Sequence, residues 1–205
     1  MKSEMTSKRL YTMLVLLLVV GNVAGATSIR TADVSDEEDA VYAALLAHMF
    51  VDNGGLTVPA AIQELVIRDQ TDQYSLEMID DKFWLKDAFP QISPETINDY
   101  KLKNKVPYRL RDAFDLRVKH KLVASEQIEE IFKYGGDGWP QFFKKYPNSG
   151  GYVSLSRVGF NFDRNQALIF VSHSCGPQCG SGSYVFLIKS DNIWRVSKEA
   201  MVWIS

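Results

Sequence analysis

The chain closes with four apolar runs, YVSLSRVGFN (152–161), QALIFVSH (166–173), YVFLIK (184–189) and WRVSKEAMVWI (194–204). β-Branched and aromatic side chains dominate all four runs, and turn-forming residues separate them, which is typical of an antiparallel meander. The second run is apolar at every position from 167 to 171, so it predicts a central strand covered on both faces. Helices must therefore cover at least one face of the predicted sheet.

The connections between these runs carry turn chemistry. The first connection is FDRN (162–165) and the last is SDN (190–192), whose Asp and Asn suit a tight hairpin. Gly159 interrupts the first run and predicts either a bulge or a close approach by a neighbouring backbone. The middle connection, SHSCGPQCGSG (172–182), is predicted to be a loop.

The chain ahead of the meander is mainly helical in pattern. Capping residues predict four helices, which begin at SDEED (35–39), SPE (93–95), Ser125 and WP (139–140). β-Branched or alternating segments predict two further strands at 65–71 and 115–123. The predicted fold class is therefore α+β, with N-terminal helices packed on a mostly antiparallel C-terminal β-meander, in a single domain over residues 27–205.

Residues 1–26 have the organisation of a secretory signal peptide. Basic side chains at Lys2, Lys8 and Arg9 precede an apolar core over 10–20, and small residues lead up to a cut after Ala26. The apolar core is short for a hydrocarbon layer about 30 Å thick. We expect a secreted or periplasmic protein that has no stable membrane span once the signal is removed.

The charge balance argues against a nucleic-acid partner. The first 26 residues hold three of the 23 basic and one of the 25 acidic side chains, which leaves 20 basic against 24 acidic residues. Nonspecific affinity for nucleic acid comes from a surplus of Lys and Arg, which this balance lacks. The three histidines have no paired spacing, so we predict no metal site and assign no cofactor.

Cys175 and Cys179 are separated by three residues. In an oxidising compartment so close a pair predicts a disulfide, and a ring of this size contributes about 2 kcal/mol by the chain-entropy estimate. A thiol-disulfide function is the alternative. It is less favoured because redox pairs have two intervening residues and a helix N-terminus that lowers a thiol pKa.

Residues 101–121 form the most basic stretch of the chain. It is either a site for an anionic partner, such as lipopolysaccharide or phospholipid headgroups, or a solvated face paired with the acidic first helix, and we favour the second. The aromatic residues of 139–146 also allow two interpretations. They could stack on a carbohydrate or peptide, but packing of a helix against the sheet is favoured.

The sequence contains no evident acid/base pair, activated nucleophile or metal constellation, so we assign no catalytic residue and lean towards a protein without enzymatic activity. A hydrolase that uses His173 with Ser156 or Ser174, oriented by Asp163, is the main enzymatic alternative. His173 and Ser174 are neighbours on a predicted strand and would point to opposite faces, which argues against their contact. Arg157, His173 and Ser174 are the candidate ligand-site residues.

A resemblance joins four parts of the meander. The motifs SRVGFN (156–161), QALIFV (166–171), Trp194 with Val196, and Trp203 with Ser205 resemble a family of uncharacterised secreted bacterial proteins. The resemblance implies export and a shared fold, and it implies no activity. The leading hypothesis is a non-enzymatic binding or envelope-associated module, whose partner is unknown and would be an anionic or protein component of the cell envelope.

Overall fold

The structure is a computed structural model that describes residues 36–51, 63–73, 76, 79, 82–133 and 137–205. The predicted signal peptide (1–26) and the predicted cap Ser35 lie outside the described residues.

Five helices and seven strands are described, in the order α1 (Asp36–Phe50), β1 (Glu64–Arg68), α2 (Lys82–Ala88), α3 (Pro94–Lys103), β2 (Lys119–Val123), α4 (Ser125–Phe132), α5 (Trp139–Lys145), β3 (Ser149–Leu155), β4 (Gly159–Phe160), β5 (Gln166–Gly176), β6 (Cys179–Ser190) and β7 (Ile193–Ile204). These strands form one sheet. The α+β class is confirmed.

The sheet has the order β2-β1-β3-β5-β6-β7, and β4 also pairs with β5. Strands β3 to β7 pair in antiparallel fashion, so the predicted meander is confirmed. β1 runs parallel to both β2 and β3. Parallel pairs need long connections, and here the helices α2 to α5 supply them. The sheet is therefore mixed at one end and antiparallel elsewhere.

The two strands predicted upstream of the meander are shorter than the sequence pattern indicated. The strand predicted over 115–123 is observed as β2 (Lys119–Val123), and the one predicted over 65–71 as β1 (Glu64–Arg68). The two pair residue by residue from Glu64↔Lys119 to Arg68↔Val123. The two strands therefore begin and end together. The alternation of apolar and polar side chains that predicted β2 begins earlier in the sequence than the strand itself.

The central strand β5 separates two cores. Ala167, Ile169 and Val171 lie in the first core, together with apolar side chains of α1. Leu168 and Phe170 lie in the second core, with residues of α2 and α3. All five side chains are buried, so the predicted coverage of this strand on both faces is confirmed.

The aromatic residues of 139–146 form a third core. Phe142 and Tyr146 are buried against Val66 of β1. The ring of Trp139 stacks on that of Tyr152 in β3, with centroids 5.9 Å apart and planes 16° apart. The favoured interpretation, in which these rings pack against the sheet, is confirmed.

Two tight turns differ in how well the sequence predicted them. Asp191 and Asn192 adopt φ values of 51° and 62°, as a type I′ hairpin requires, and the turn predicted there is confirmed. The loop predicted over 172–182 is wrong, because β5 continues to Gly176 and β6 begins at Cys179. Cross-strand hydrogen bonds outweigh the weak strand preference of Ser and Gly here.

Helix capping also has two outcomes. Ser93 caps α3, since its Oγ accepts a hydrogen bond from the Thr96 amide at 3.3 Å. The cap predicted at Ser125 is wrong: Ala124 is the N-cap of α4, and the Ser125 amide donates to Asp69 Oδ1 at 2.9 Å. A carboxylate just beyond β1 therefore satisfies an amide of the first turn of α4, and local sequence could not reveal it.

Candidate binding site

The first apolar run folds as two strands, and the break between them organises the site. β3 ends at Leu155 and β4 begins at Gly159. Between them the Ser156 Oγ accepts a hydrogen bond from the Phe170 amide at 2.8 Å and donates one to the Arg157 carbonyl at 3.0 Å. The prediction of one continuous strand is therefore wrong, because a hydroxyl replaces the backbone partner at this point.

Arg157 forms a buried bidentate ion pair with Glu38 of α1. Its Nε and Nη2 each lie 2.9 Å from a different carboxylate oxygen of Glu38. The two residues are 6% and 1% exposed. Burial lowers the pKa of Arg157, but the hydrogen bonds and charge of Glu38 outweigh burial and raise that pKa above its usual value. The guanidinium also lies 4.3 Å from the centroid of the Tyr108 ring.

Lys103 and Asp99 of α3 extend this ion pair into a network of four charges. The Lys103 Nζ lies 3.4 Å from Glu38 Oε1 and 2.8 Å from Asp99 Oδ2. It also donates a hydrogen bond to the Val158 carbonyl at 3.1 Å. Two cations thus face two carboxylates, and the network is neutral without an external ion. We therefore interpret Arg157 as a structural residue rather than a ligand-binding residue.

Asn104 fixes the backbone of Arg157. Its Oδ1 accepts a hydrogen bond from the Arg157 amide at 2.7 Å, and its Nδ2 donates to the Arg157 carbonyl at 3.0 Å. The same Nδ2 donates to the Tyr100 carbonyl at 2.9 Å. One buried amide therefore replaces the neighbouring strand that Arg157 lacks.

Gly159 brings β4 into direct contact with α3. A Cβ placed on Gly159 would lie 2.4 Å from the Cβ of Tyr100 and 2.5 Å from its amide nitrogen. Any side chain would push the helix away from the strand, so the close approach predicted at this glycine is confirmed. The next amide, that of Phe160, donates to Asp99 Oδ2 at 2.8 Å.

A cleft of about 460 Å³ opens between α3 and the turn that joins β4 to β5. One wall of the cleft is formed by α3. The other wall is formed by the end of β4 and the turn that follows it. The lining residues on the helix include Glu95, Asn98, Asp99 and Leu102, and those on the other wall are Phe160, Asn161, Phe162 and Arg164.

Two of the lining residues are large apolar side chains that face solvent. Phe162 is 89% exposed and Leu102 is 63% exposed. Phe160, which is buried, adds apolar surface to the same cleft. The site therefore combines solvent-facing apolar surface with charges of both signs.

The turn is held in one conformation by Asn161. The Asn161 Oδ1 accepts hydrogen bonds from the amides of Asn165 and Gln166, each at 3.0 Å. The Asn161 carbonyl accepts a third from the Arg164 amide at 3.1 Å. Arg164 adopts a φ of 50°, a left-handed conformation that Gly and Asn adopt at lower cost.

His173 and Ser174 lie elsewhere on β5. The His173 Nε2 is 2.9 Å from the Gly150 carbonyl oxygen, and the ring packs edge-on against Phe50 of α1. Burial lowers the pKa of His173, although the hydrogen bond with Gly150 opposes this effect. Ser174 lies opposite Tyr152 on β3 and Gly180 on β6. The structure thus gives the candidates Arg157, His173 and Ser174 separate partners rather than a common one.

The hydrolase alternative receives no support from these contacts. The Ser156 hydroxyl is buried and bonded to two backbone groups. Asp163 is exposed on the β4–β5 turn. Within the ranges that the structure describes, the hydrogen bond of His173 is with the Gly150 carbonyl, and none joins it to a serine or carboxylate.

Cys175 and Cys179 form a disulfide, with their Cα atoms 5.0 Å apart. It closes the hairpin of β5 and β6 around Pro177 and Gln178. The predicted disulfide is confirmed.

The basic stretch pairs in part with the acidic first turn of α1. Arg111 lies 3.2 Å from Asp36 Oδ1 and also forms an ion pair with Asp39. Lys103 contacts Glu38, as described above. Burial raises the pKa of Asp39, and the charge of Arg111 only partly offsets this effect. The pairing that we favoured from the sequence is confirmed for these residues.

Glu38 is the most important residue that the sequence interpretation missed. We interpreted SDEED (35–39) only as the start of a helix, yet Glu38 is buried. It precedes Tyr42 by four residues and Leu45 by seven, so it belongs to the apolar face of α1. A charge on an apolar face indicates a buried ion pair, and this signal was present in the sequence.

No protein-family model, no curated protein and no solved structure matches the chain. The helices of the described ranges include none that is long and apolar enough to cross a membrane. In the same ranges, no group of three or more His, Cys, Asp or Glu side chains is arranged to hold a metal ion.

Proposed function

We propose that the protein is an exported, non-enzymatic binding module, and that the cleft between α3 and the β4–β5 turn holds a polypeptide segment of a partner in the cell envelope. The observation that carries this proposal is the 89% exposure of Phe162 on a rigid turn, across the cleft from Leu102. Burial of apolar surface contributes roughly 25 cal/mol per Å², so covering these two side chains with a partner is favourable.

The size and chemistry of the cleft favour a polypeptide. A volume of about 460 Å³ accommodates a few side chains. Aromatic anchors beside polar groups are the usual hot spots of protein–protein interfaces. Because the turn is already ordered by Asn161, binding would cost little conformational entropy.

Export is part of the proposal. The signal-peptide pattern of residues 1–26 supports it, and a disulfide between Cys175 and Cys179 is typical of secreted and periplasmic proteins. We also propose that residues 27–205 act as one domain, with α1 packed on the sheet through the first core as a permanent part of the scaffold.

The alternatives are less well supported. A Ser/His hydrolase lacks the necessary contacts at His173, as described above. A thiol-disulfide function would have to use Cys175 and Cys179, which lie in the two strands of a hairpin rather than at a helix N-terminus, the position that commonly lowers a thiol pKa.

A peptide selection tests the proposal. The full chain would be expressed in a bacterial host, purified with its disulfide intact and used to select from a phage library of random twelve-residue peptides. Selected peptides should bind the Phe162→Ser variant at least about tenfold more weakly than the unmodified protein, because an interface anchor has been removed.

Ile204→Ser is the matched control, because Ile204 is 74% exposed and lies on β7 rather than in the cleft. This variant should bind the selected peptides unchanged. A selection whose peptides bind the Phe162→Ser variant as well as the unmodified protein would contradict the proposed site.

A further inference from the structure

Arg164 occupies a backbone position that suits its side chain poorly. Its φ of 50° lies in the left-handed region, and loops of this kind commonly place Gly there. The other two non-glycine residues with positive φ in the described ranges are Asp191 and Asn192, whose hairpin explains them. Strain at an exposed position of a binding surface points to a use for the side chain.

Arg164 is exposed and lines the cleft. Its guanidinium carbon lies 5.7 Å from the centroid of the Phe160 ring, so the side chain is held over an aromatic surface of the cleft. Two carboxylates near this region are engaged with other residues. Asp99 bonds to Lys103 and to the Phe160 amide, and Glu37, on which the charge of Arg164 also acts, accepts hydrogen bonds from Lys189 and Trp194.

The remaining charges place a negative charge on one wall of the cleft and a positive charge on the other. Asp99 and Lys103 compensate each other, which leaves Glu95 on the helical wall and Arg164 on the turn. A carboxylate on a ligand would be attracted to Arg164, and it would be repelled by Glu95 and by Asp163, the exposed neighbour of Arg164 on the turn. Arg is also the side chain best suited to bind a carboxylate through two parallel hydrogen bonds.

We propose that Arg164 binds a carboxylate of the bound segment, so that the module selects segments in which an acidic residue adjoins a large apolar side chain. This inference rests on the proposed function, because it concerns the same cleft. Phe162 and Leu102 hold the apolar side chain, and Arg164 sets the preference for acid beside it.

The test uses the random twelve-residue library as its probe. Selected peptides should be enriched in Asp or Glu next to a large apolar residue. One such peptide and its counterpart with Asn or Gln in place of the acid would then be titrated against the protein. Arg164→Asn should weaken binding of the acidic peptide about fivefold, because an exposed ion pair contributes up to about that factor, and should leave the amide peptide unaffected.

Two controls separate recognition from folding. Arg164→Asn should leave the melting temperature unchanged or slightly higher, since Asn adopts the left-handed conformation more readily than Arg. Arg195→Asn removes the same charge from an exposed position on β7 and should leave binding unchanged. The fivefold effect should also decrease at high salt, where exposed ion pairs are screened.

The outcomes distinguish this inference from the proposal on which it rests. Peptides that require Phe162 but show no acidic preference, or that bind the Arg164→Asn variant unchanged, would overturn the inference and leave the proposed function standing. If no selected peptide depends on Phe162, both are overturned.

Discussion

At the scale of single residues, the buried pair of Glu38 and Arg157 carries the clearest energetic consequence. Each charge is the bidentate partner of the other, so removing Arg157 leaves Glu38 buried without that partner, although Lys103 remains 3.4 Å away. The cost of breaking a buried pair in this way is about 3–5 kcal/mol. Replacing both residues of the pair with apolar residues should lower the free energy of unfolding by less than removing one of them.

We therefore expect Arg157→Met to lower the free energy of unfolding by about 3–5 kcal/mol, as measured by urea denaturation. The double variant with Glu38→Leu should recover a large part of this loss. Glu129→Gln is the control, because Glu129 pairs with Arg68 while its side chain is 64% exposed, and it should cost less than about 1 kcal/mol. Equal effects of Arg157→Met and Glu129→Gln would contradict the structural importance of the buried pair.

His173 gives the protein a predicted dependence on pH. Burial lowers its pKa in the folded state below the usual 6.5, so the unfolded chain binds more protons between these two values. Stability should therefore be complete above about pH 6.5 and should fall as the pH decreases below that value. Melting temperatures measured from pH 8 to about pH 5 would show this decrease, and His173→Asn should make it smaller.

His120→Asn provides the comparison for this prediction, because the His120 ring lies 2.8 Å from Asp112 in a more exposed position. The same measurements on that variant show whether the loss of any histidine side chain has this effect. An unchanged dependence in the His173→Asn variant would show that this histidine is not its source.

At the scale of elements, the contact between β4 and α3 depends on one missing side chain. Gly159→Ala should lower the free energy of unfolding by about 1–3 kcal/mol, because its Cβ would overlap the backbone and Cβ of Tyr100. Gly176→Ala is a suitable control, since the nearest atom to its Cβ is that of Cys179 at 3.3 Å, and it should cost less. Chemical denaturation of the two variants would compare them directly, and a cost at Gly159 no larger than at Gly176 would refute the close contact.

Local chemistry predicted some elements well and left others to tertiary contacts. The Ser93 cap, the Asp191–Asn192 hairpin and the doubly covered strand β5 all follow from residues adjacent in sequence. The cap of α4 depends on Asp69, and the break after Leu155 depends on a serine hydroxyl and on Asn104. Such partners are distant in sequence, so pattern and propensity could not supply them.

The candidate cleft could not be predicted from the sequence for a related reason. The prediction of a turn at FDRN (162–165) was correct, but a turn signal does not indicate which helix packs opposite it. Arg157 was a candidate ligand-site residue, but its partner Glu38 lies 119 residues away. The exposure of Phe162 likewise becomes evident only when the whole surface is assembled.

At the scale of the whole molecule, three consecutive acidic residues of α1 bind three different regions. Glu37 bonds to Lys189 and Trp194 on β6 and β7, and Glu38 bonds to Arg157 at the break between β3 and β4. Asp39 pairs with Arg111 in the segment after α3. One helical turn thus connects the edge of the sheet, its interrupted strand and the connection that leads to β2.

The motif SRVGFN (156–161) has an architectural explanation at four of its positions: Ser156 interrupts the strand, Arg157 binds α1, Gly159 admits α3 and Asn161 orders the turn. The residues proposed to select a ligand, Phe162 and Arg164, come immediately after it. A variant that kept residues 156–161 and exchanged residues 162–165 would keep the fold and change the ligand that it binds. The residues that support the fold and the residues proposed to select a ligand are thus adjacent in sequence. Substitutions in the second group could therefore change the ligand preference without changing the fold.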